Sequence, residues 1–338
     1  MVVKIGIIGY RNHASRLIKL INEIDDCIVN LIYHPNKILN IQHFTNNLND
    51  LFDCDAIFVS SPNQTHYQYL EKLFQNYDGY IFCEKPPVTS NDHLNLLTKI
   101  PTRIKNKLFF NFNYRFSKIN DCLVKTKHSE NIGKINHINI IATQGLAFKN
   151  EYLDSWRSDG KTNLHNILET VSIHYLDLLN FNFGKINHIQ YYPKLISNNG
   201  SSYDTNYITV EYENNVTASI FNSYAGPYIN QISILGTNGF LNIFENQQKL
   251  FSPRDTFNSK GLFIIPPILE KQTFIFESEY ENSLKNSINY FLNHVKNNTM
   301  IPIEQFDTSI LSNKLILNIK NRFRSVSYTH LTLPTTPY

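Results

Sequence analysis

Tyr80-Ile81-Phe82-Cys83-Glu84-Lys85-Pro86-Pro87 decides how this chain reads. The first four residues form an apolar run of the kind a strand buried on both faces requires. Glu84 and Lys85 follow at its carboxyl end, and two prolines, which cannot donate to a ladder, stop the strand. In open α/β sheets ligands bind outside the carboxyl ends of the strands. A lysine held there out of water has a lowered pKa and can give or take a proton near neutrality. An isolated Glu-Lys-Pro is more often a solvated surface turn, so its neighbours have to decide.

They do so by alternation. Val3 to Ile8 reads as a strand, Ala14 to Ile24 as a helix with Leu17, Leu20, Ile21 and Ile24 on one face, and Cys27 to Tyr33 as a second strand. Ile41 to Phe44 is a candidate third strand. Ala56 to Ser60, the helix Tyr67 to Phe74, the lysine-bearing strand and Leu108 to Asn111 complete the series. Short apolar runs alternating with helices predict an α/β, doubly wound parallel sheet over residues 1–118.

Beyond residue 119 the texture changes. A helix near Ile119 to Lys127 leads to strands at Ile135–Thr143, Ile186–Tyr192, Tyr207–Tyr212, Val216–Tyr224, Ile232–Leu235 and Phe240–Phe244. A helix at Leu164–Leu179 interrupts them, and 278–296 and 304–321 read as closing helices. Hairpin spacing predicts a second, α+β domain with a mostly antiparallel sheet over 119–324. Gly236-Thr237-Asn238-Gly239 resembles a phosphate loop but, lying between two strands, is read as a hairpin turn. From Ser325 the composition turns Thr/Pro-rich and resembles translated adapter sequence. Residues 325–338 are therefore expected to be a non-native tail, with the native end near Lys320 to Arg324.

The charge balance, +3 over 338 residues with no dense Lys/Arg stripe, argues against a nucleic-acid partner. Four widely spaced cysteines (Cys27, Cys54, Cys83, Cys122) fit reduced thiols better than a disulfide frame or a zinc site, so no metal is expected. No window approaches the roughly 18 apolar residues that span a bilayer. Nor does the N-terminus carry a secretory pattern. The expectation is a cytoplasmic protein with no membrane partner.

The first strand runs into Gly9-Tyr10-Arg11-Asn12-His13-Ala14. In a dinucleotide fold, Gly-x-Gly-x-x-Gly/Ala lets backbone amides and a helix N-terminus meet a pyrophosphate. Gly9 and Ala14 occupy the first and third positions, but Arg11 replaces the second glycine. Its guanidinium suits phosphate oxygens; Asn12 and His13 lie beside the same turn. The second strand ends at Tyr33-His34-Pro35-Asn36-Lys37, where an acidic residue would hold the ribose hydroxyls of NAD. None is present. Arg11, His34 and Lys37 lean the cofactor expectation, NAD(P), toward NADP.

A third element, Ser60-Ser61-Pro62-Asn63-Gln64-Thr65-His66, precedes Glu84-Lys85-Pro86 and Asn113-Tyr114-Arg115. In this order and spacing the chain resembles the glucose–fructose oxidoreductase/inositol dehydrogenase/rhizopine-catabolism (Gfo/Idh/MocA) family. The resemblance runs from residue 3 to about 320 and is strongest over 55–116. It implies a Rossmann cofactor domain, followed by a domain for substrate and oligomerisation. It also continues through Trp156-Arg157 and a helix ending in His174-Tyr175-Leu176-Asp177.

The resemblance implies an NAD(P)-dependent oxidoreductase acting on a sugar, cyclitol or sugar-nucleotide hydroxyl, with Lys85 and His174 moving the proton. Tyr114, Arg115, Trp156, Arg157, Thr170 and Asp177 would shape the substrate pocket. Gly9, Arg11, Asn12, His13, Ala14, His34, Ser61, Pro62, Asn63, His66, Glu84 and Lys85 would serve the cofactor. A homodimer or homotetramer through the second sheet is implied too. One departure stands out: relatives often carry an aspartate four residues before the histidine, and Thr170 stands there, with Glu169 about 100° round an α-helix. Two other outcomes fit the same fold. One is a cofactor-retaining enzyme with net glycosidase or disproportionation chemistry; the other is a catalytically degenerate dinucleotide-binding sensor or accessory protein.

Overall fold

The computed structural model describes residues 2–36 and 43–324. The tail at 325–338, Lys37, and the Ile41 end of the expected third strand lie outside the described residues. Six strands, β1 (Val3–Ile8), β2 (Cys27–Tyr33), β3 (Phe44–Thr45), β4 (Ala56–Val59), β5 (Tyr80–Glu84) and β6 (Leu108–Asn111), form a parallel sheet in the order β3-β2-β1-β4-β5-β6. The chain winds outward from β1 in one direction and restarts at β4 in the other. Carboxyl-end loops diverge between β1 and β4, which opens a crevice there.

Alternation along the strands divides the sheet's side chains between two cores. Ile5, Ile7, Phe58, Phe82 and Phe109 share one face with helix α1 (Asn12–Asn22). Ile8, Ile57, Val59, Ile81, Cys83 and Phe110 share the other with helices α2 (His66–Asn76) and α3 (Asn91–Thr98).

Helix α4 (Lys118–Lys127) leads to the second sheet: β7 (Ile135–Thr143), β8 (Ile186–Lys194), β9 (Thr205–Tyr212), β10 (Thr217–Ser223), β11 (Ile229–Gly236), β12 (Phe240–Phe244), β13 (Gln247–Phe251) and β14 (Ile268–Thr273). Its order is β14-β13-β12-β11-β7-β10-β9-β8, antiparallel except where β7 meets β10. Helix α5 (Ile173–Phe183) packs on one face. The other face carries outward Tyr192, Tyr207, Phe221, Leu235 and Phe244. Residues 236–239 join β11 to β12 as a hairpin, with Gly236 and Gly239 bonded backbone to backbone at 2.9 Å. Strands β13 and β14 have no counterpart in the sequence reading, because their Gln- and Lys-rich residues lack an apolar alternation.

The two closing helices, α6 (Phe276–Asn297) and α7 (Ile303–Arg324), do not stay with the second sheet. Leu284, Ile288, Phe291 and Leu292 of α6 complete the core on the α1 face of the first sheet, and the Phe291 ring meets Phe58 edge-on at 5.4 Å. Residues Phe306, Ile310 and Ile316 of α7 join the opposite core. The reason is physical: a parallel sheet needs cover on both faces, and the crossovers between its own strands supply too few helices. The segment 119–324 is therefore contiguous in sequence but not confined to one core.

Candidate active site

The site grows from the carboxyl ends of β1, β4 and β5. Gly9 directly follows β1 with φ +101, and a Cβ there would stand 2.7 Å from the Ser60 carbonyl oxygen. Only glycine fits a turn so close to the neighbouring loop. Arg11 caps α1 in extended conformation, without a side-chain hydrogen bond to the helix amides. Those amides and the helix dipole are thus left for an anion. Ala14 is fully buried against the sheet, and Asn12 and Arg11 are exposed. The Gly9 amide donates to the Tyr33 carbonyl at 3.0 Å, which sets His34 beside the glycine turn. This cradle fits a dinucleotide pyrophosphate.

His66 is fully buried and joins two loops. Its Nδ1 lies 2.8 Å from the Pro86 carbonyl and its Nε2 3.0 Å from the Ser61 carbonyl. Burial lowers its pKa, and the neutral ring, which donates to one of these carbonyls, lies wedged between the Pro62-Asn63 turn and the Lys85-Pro86 turn. Ser61 is further fixed by the Thr65 hydroxyl at 2.8 Å. Next to it, the buried Glu84 carboxylate takes His13 Nε2 at 2.8 Å and the Asn111 amide at 2.8 Å. Burial alone would push Glu84 up, but His13, Asn111 and Lys85 outweigh it and hold the carboxyl below its usual value.

Lys85 reaches across to the second sheet's helix. Its Nζ donates to the Thr170 carbonyl at 3.1 Å. Burial pulls its pKa down to about 8; Arg157 adds to this, while Glu84 and Glu169 oppose it. His174 lies on the same helix with its Nδ1 buried and without a hydrogen-bond partner. Burial, helped by Lys85 and His13, pushes the imidazole well below its ordinary value. The ring stacks on Tyr114 at 4.8 Å and meets Tyr280 edge-on at 6.3 Å. A lysine close to its neutral form thus shares the seam with a neutral histidine that has hydrogen-bonding capacity unspent. That combination can move a proton to or from an oxygen.

Helix α5 does not begin as an α-helix. Residues Leu168–Ser172 form a π turn, in which the Ile173 amide bonds back to the Leu168 carbonyl. Such turns recur at functional sites. The 100° step assumed for Glu169 therefore does not apply. The Thr170 hydroxyl is spent on the Asn166 carbonyl at 2.7 Å and the Tyr224 hydroxyl at 2.6 Å. Glu169 is buried, ion-paired with Lys320 and hydrogen-bonded to Asn163.

Other expected pocket residues sit differently. Arg115 and Asp177 are buried and grip each other, Nε to Oδ2 at 2.8 Å and Nη2 to Oδ1 at 2.5 Å. The third guanidinium nitrogen of Arg115, Nη1, goes to Gln305 and Thr308 of α7. Buried and bonded through both carboxylate oxygens, these two act as a tie between elements. Trp156 is 47% exposed, with the Arg157 guanidinium 4.6 Å over its ring. Arg157 itself lies near enough to Lys85 and Tyr224 to act on both.

Several contributors escaped the sequence reading. Asn111 pairs in register with Glu84 across β5 and β6, and a polar residue ending an apolar strand was a usable signal. Tyr224, Tyr280 and Lys320 arrive from distant elements and carry no local signature.

Comparison with known proteins follows the same division. Residues 3–112 match the oxidoreductase family with an NAD-binding Rossmann fold, and residues 125–242 match the GFO/IDH/MocA C-terminal domain. No curated protein matches the chain. Among solved structures, an oxidoreductase from Agrobacterium radiobacter, in complex with NAD+, L-tartaric acid and magnesium, superposes with a TM-score of 0.76. The two share 16% identity, over 96% of this chain and 97% of the other. A myo-inositol dehydrogenase from Corynebacterium glutamicum gives 0.71 at 17% identity, over 95% and 96%. An apo scyllo-inositol dehydrogenase from Lactobacillus casei gives 0.71 at 19%, over 96% of each chain. At these identities the likeness concerns the fold.

Proposed function

The chain belongs to the Gfo/Idh/MocA family of NAD-binding oxidoreductases, and from that premise we propose that it oxidises or reduces a hydroxyl-bearing carbon of a sugar, cyclitol or sugar nucleotide. The observation that carries this reading is the pairing of Lys85, with its pKa near 8, and His174, with its unpartnered Nδ1, on opposite sides of one seam. The nicotinamide, when bound, supplies or accepts the hydride. In the oxidation direction the neutral Lys85 amine takes the proton of the substrate hydroxyl. His174 accepts a hydrogen bond from, or passes a proton to, the same region. The Thr170 carbonyl aims the lysine, and the Glu84–His13–Asn111 cluster beside it keeps the loop rigid.

On the cofactor side, Gly9, Ala14 and the α1 N-terminus cradle the pyrophosphate. Arg11 is exposed at that turn, His34 stands next to it, and no carboxylate ends β2. These features support a preference for NADP. The outward aromatics of the second sheet, Tyr192, Tyr207 and Phe221 among them, support assembly into a dimer or tetramer through that face.

Titration of NAD(H) and NADP(H), followed by nicotinamide fluorescence, is the first test. Binding of either, tighter for NADP(H), followed by turnover on a panel of polyols and sugar nucleotides that Lys85→Ala abolishes, is the expected outcome. Failure of both cofactors to bind refutes the dehydrogenase reading in favour of a non-catalytic one.

A further inference from the structure

Glu169 and Lys320 form an ion pair that the proposed chemistry does not use. Both are largely buried, Glu169 at 3% and Lys320 at 8% exposure. Taking two charges out of water costs several kcal/mol per ion before their attraction repays it, so such a pair is weak evidence for stability as its purpose. Its position is specific. Glu169 lies in the π turn directly before Thr170, whose carbonyl holds the Lys85 ammonium. Lys320 comes from α7, the last helix, more than a hundred residues later in sequence. The second oxygen of Glu169 is occupied by Asn163 at 2.5 Å. The carboxylate is therefore fixed from both sides, one residue away from the acceptor of Lys85.

We infer that the Glu169–Lys320 pair is a positioning device for Lys85: it clamps the π turn that presents the Thr170 carbonyl, and it fixes the charge that the ammonium faces across the seam. This rests on the reading of Lys85 as the proton-transfer group. Four other groups bear on the same ammonium or its neighbour. Glu84 adjoins it in sequence and meets His13 Nε2 of α1 at 2.8 Å; Arg157 approaches from the Trp156 loop; His174 faces it from α5. Among these, Glu84 is the stronger of two anions acting on Lys85 and is itself bonded to His13 and Asn111. Glu169 is the second, and its effect is graded by how fully Lys320 compensates it. The terminal helix thereby sets the working range of a lysine that it does not touch.

The test uses the full chain without cofactor. Lysines are reductively methylated with carbon-13, and the Lys85 resonance, assigned by its loss in Lys85→Arg, is titrated by NMR. Glu169→Gln keeps the shape and removes the anion, so the Lys85 midpoint should fall by about one pH unit. Lys320→Met leaves the anion uncompensated, so the midpoint should rise by a similar amount. Opposite shifts support the inference, since a purely structural role would move both variants alike. An unchanged midpoint in Glu169→Gln, or shifts of the same sign, overturns it. The readout is separate from turnover. If Lys85→Met retains activity while the opposite shifts persist, the catalytic role of Lys85 falls and the electrostatic coupling stands.

Discussion

Two pairs of side chains cross the same seam. Lys85, after β5, faces His174; Arg115, after the adjacent strand β6, faces Asp177 three residues further along the same helix α5. The Arg115–Asp177 pair is closed. Its bonds are bidentate, both groups are buried, and the remaining guanidinium nitrogen is filled by Gln305 and Thr308. The Lys85–His174 pair is open: one carbonyl holds the lysine, and among the described residues nothing bonds to His174 Nδ1. Hydrogen-bond accounting, rather than residue type, separates the tie from the proposed reactive centre. A fully satisfied buried pair resists change. An under-satisfied one costs free energy in the isolated protein and recovers it on contact with a ligand.

The contrast can be broken from its open side first. Lys85→Met should lower turnover about 10²–10⁴-fold, the usual worth of a positioned acid or base, with no loss of thermal stability at neutral pH. A stable but fully active variant would remove Lys85 from the chemistry. From the closed side, Arg115→Met strands the Asp177 carboxylate in the interior. It should cost about 3–5 kcal/mol in denaturant unfolding. A loss below about 1 kcal/mol would mean that water or another group reaches Asp177.

The pH dependence sharpens the comparison further. Burial, with help from Arg157, lowers Lys85 from 10.5 to about 8, and in the proposed oxidation the lysine acts as base in its neutral form. Oxidation should therefore quicken as pH rises through about 8 and then level off, while reduction should slow over the same range. His174 is held well below its ordinary value and contributes no limb near neutrality. Unfolded lysine binds its proton up to about 10.5, whereas the folded one releases it near 8. Between these values the unfolded state holds more protons, so this group's contribution to stability grows with rising pH. Lys85→Met should abolish both the rate limb and that growth. A limb that survives the substitution belongs to another group. The smallest effect is expected behind Thr170: Tyr224→Phe removes a buried hydroxyl 2.6 Å from it and should cost about 1 kcal/mol in thermal stability.

Legibility in the sequence followed the reach of the interactions. Strands β1, β2, β4, β5 and β6 stood out because a doubly covered parallel strand must be apolar throughout its run. Strands β13 and β14 did not, since an exposed edge strand and the half-buried strand beside it can be polar. Within the site, Gly9, Pro62-Asn63, His66 and Glu84-Lys85 were readable as turns at strand ends, where a short motif contains the whole geometric requirement. The π turn at 168–172 was not, because its apolar spacing also suits an α-helix. The consequence is that Thr170 presents its carbonyl, rather than its hydroxyl, to Lys85.

By itself the sequence determined the two-sheet architecture, the family, and the loops from which a cofactor and a substrate would be held. Those features rest on local periodicity and on turns whose conformation a few residues dictate. Only the tertiary structure decided that α6 and α7 return to cover the first sheet, that Arg115 and Asp177 consume each other, and that Lys320 meets Glu169 at the root of the lysine's anchor. Each of these depends on which distant groups are left unpaired once the backbone has closed. Desolvation settles that question, and it acts through three-dimensional neighbours rather than neighbours along the chain.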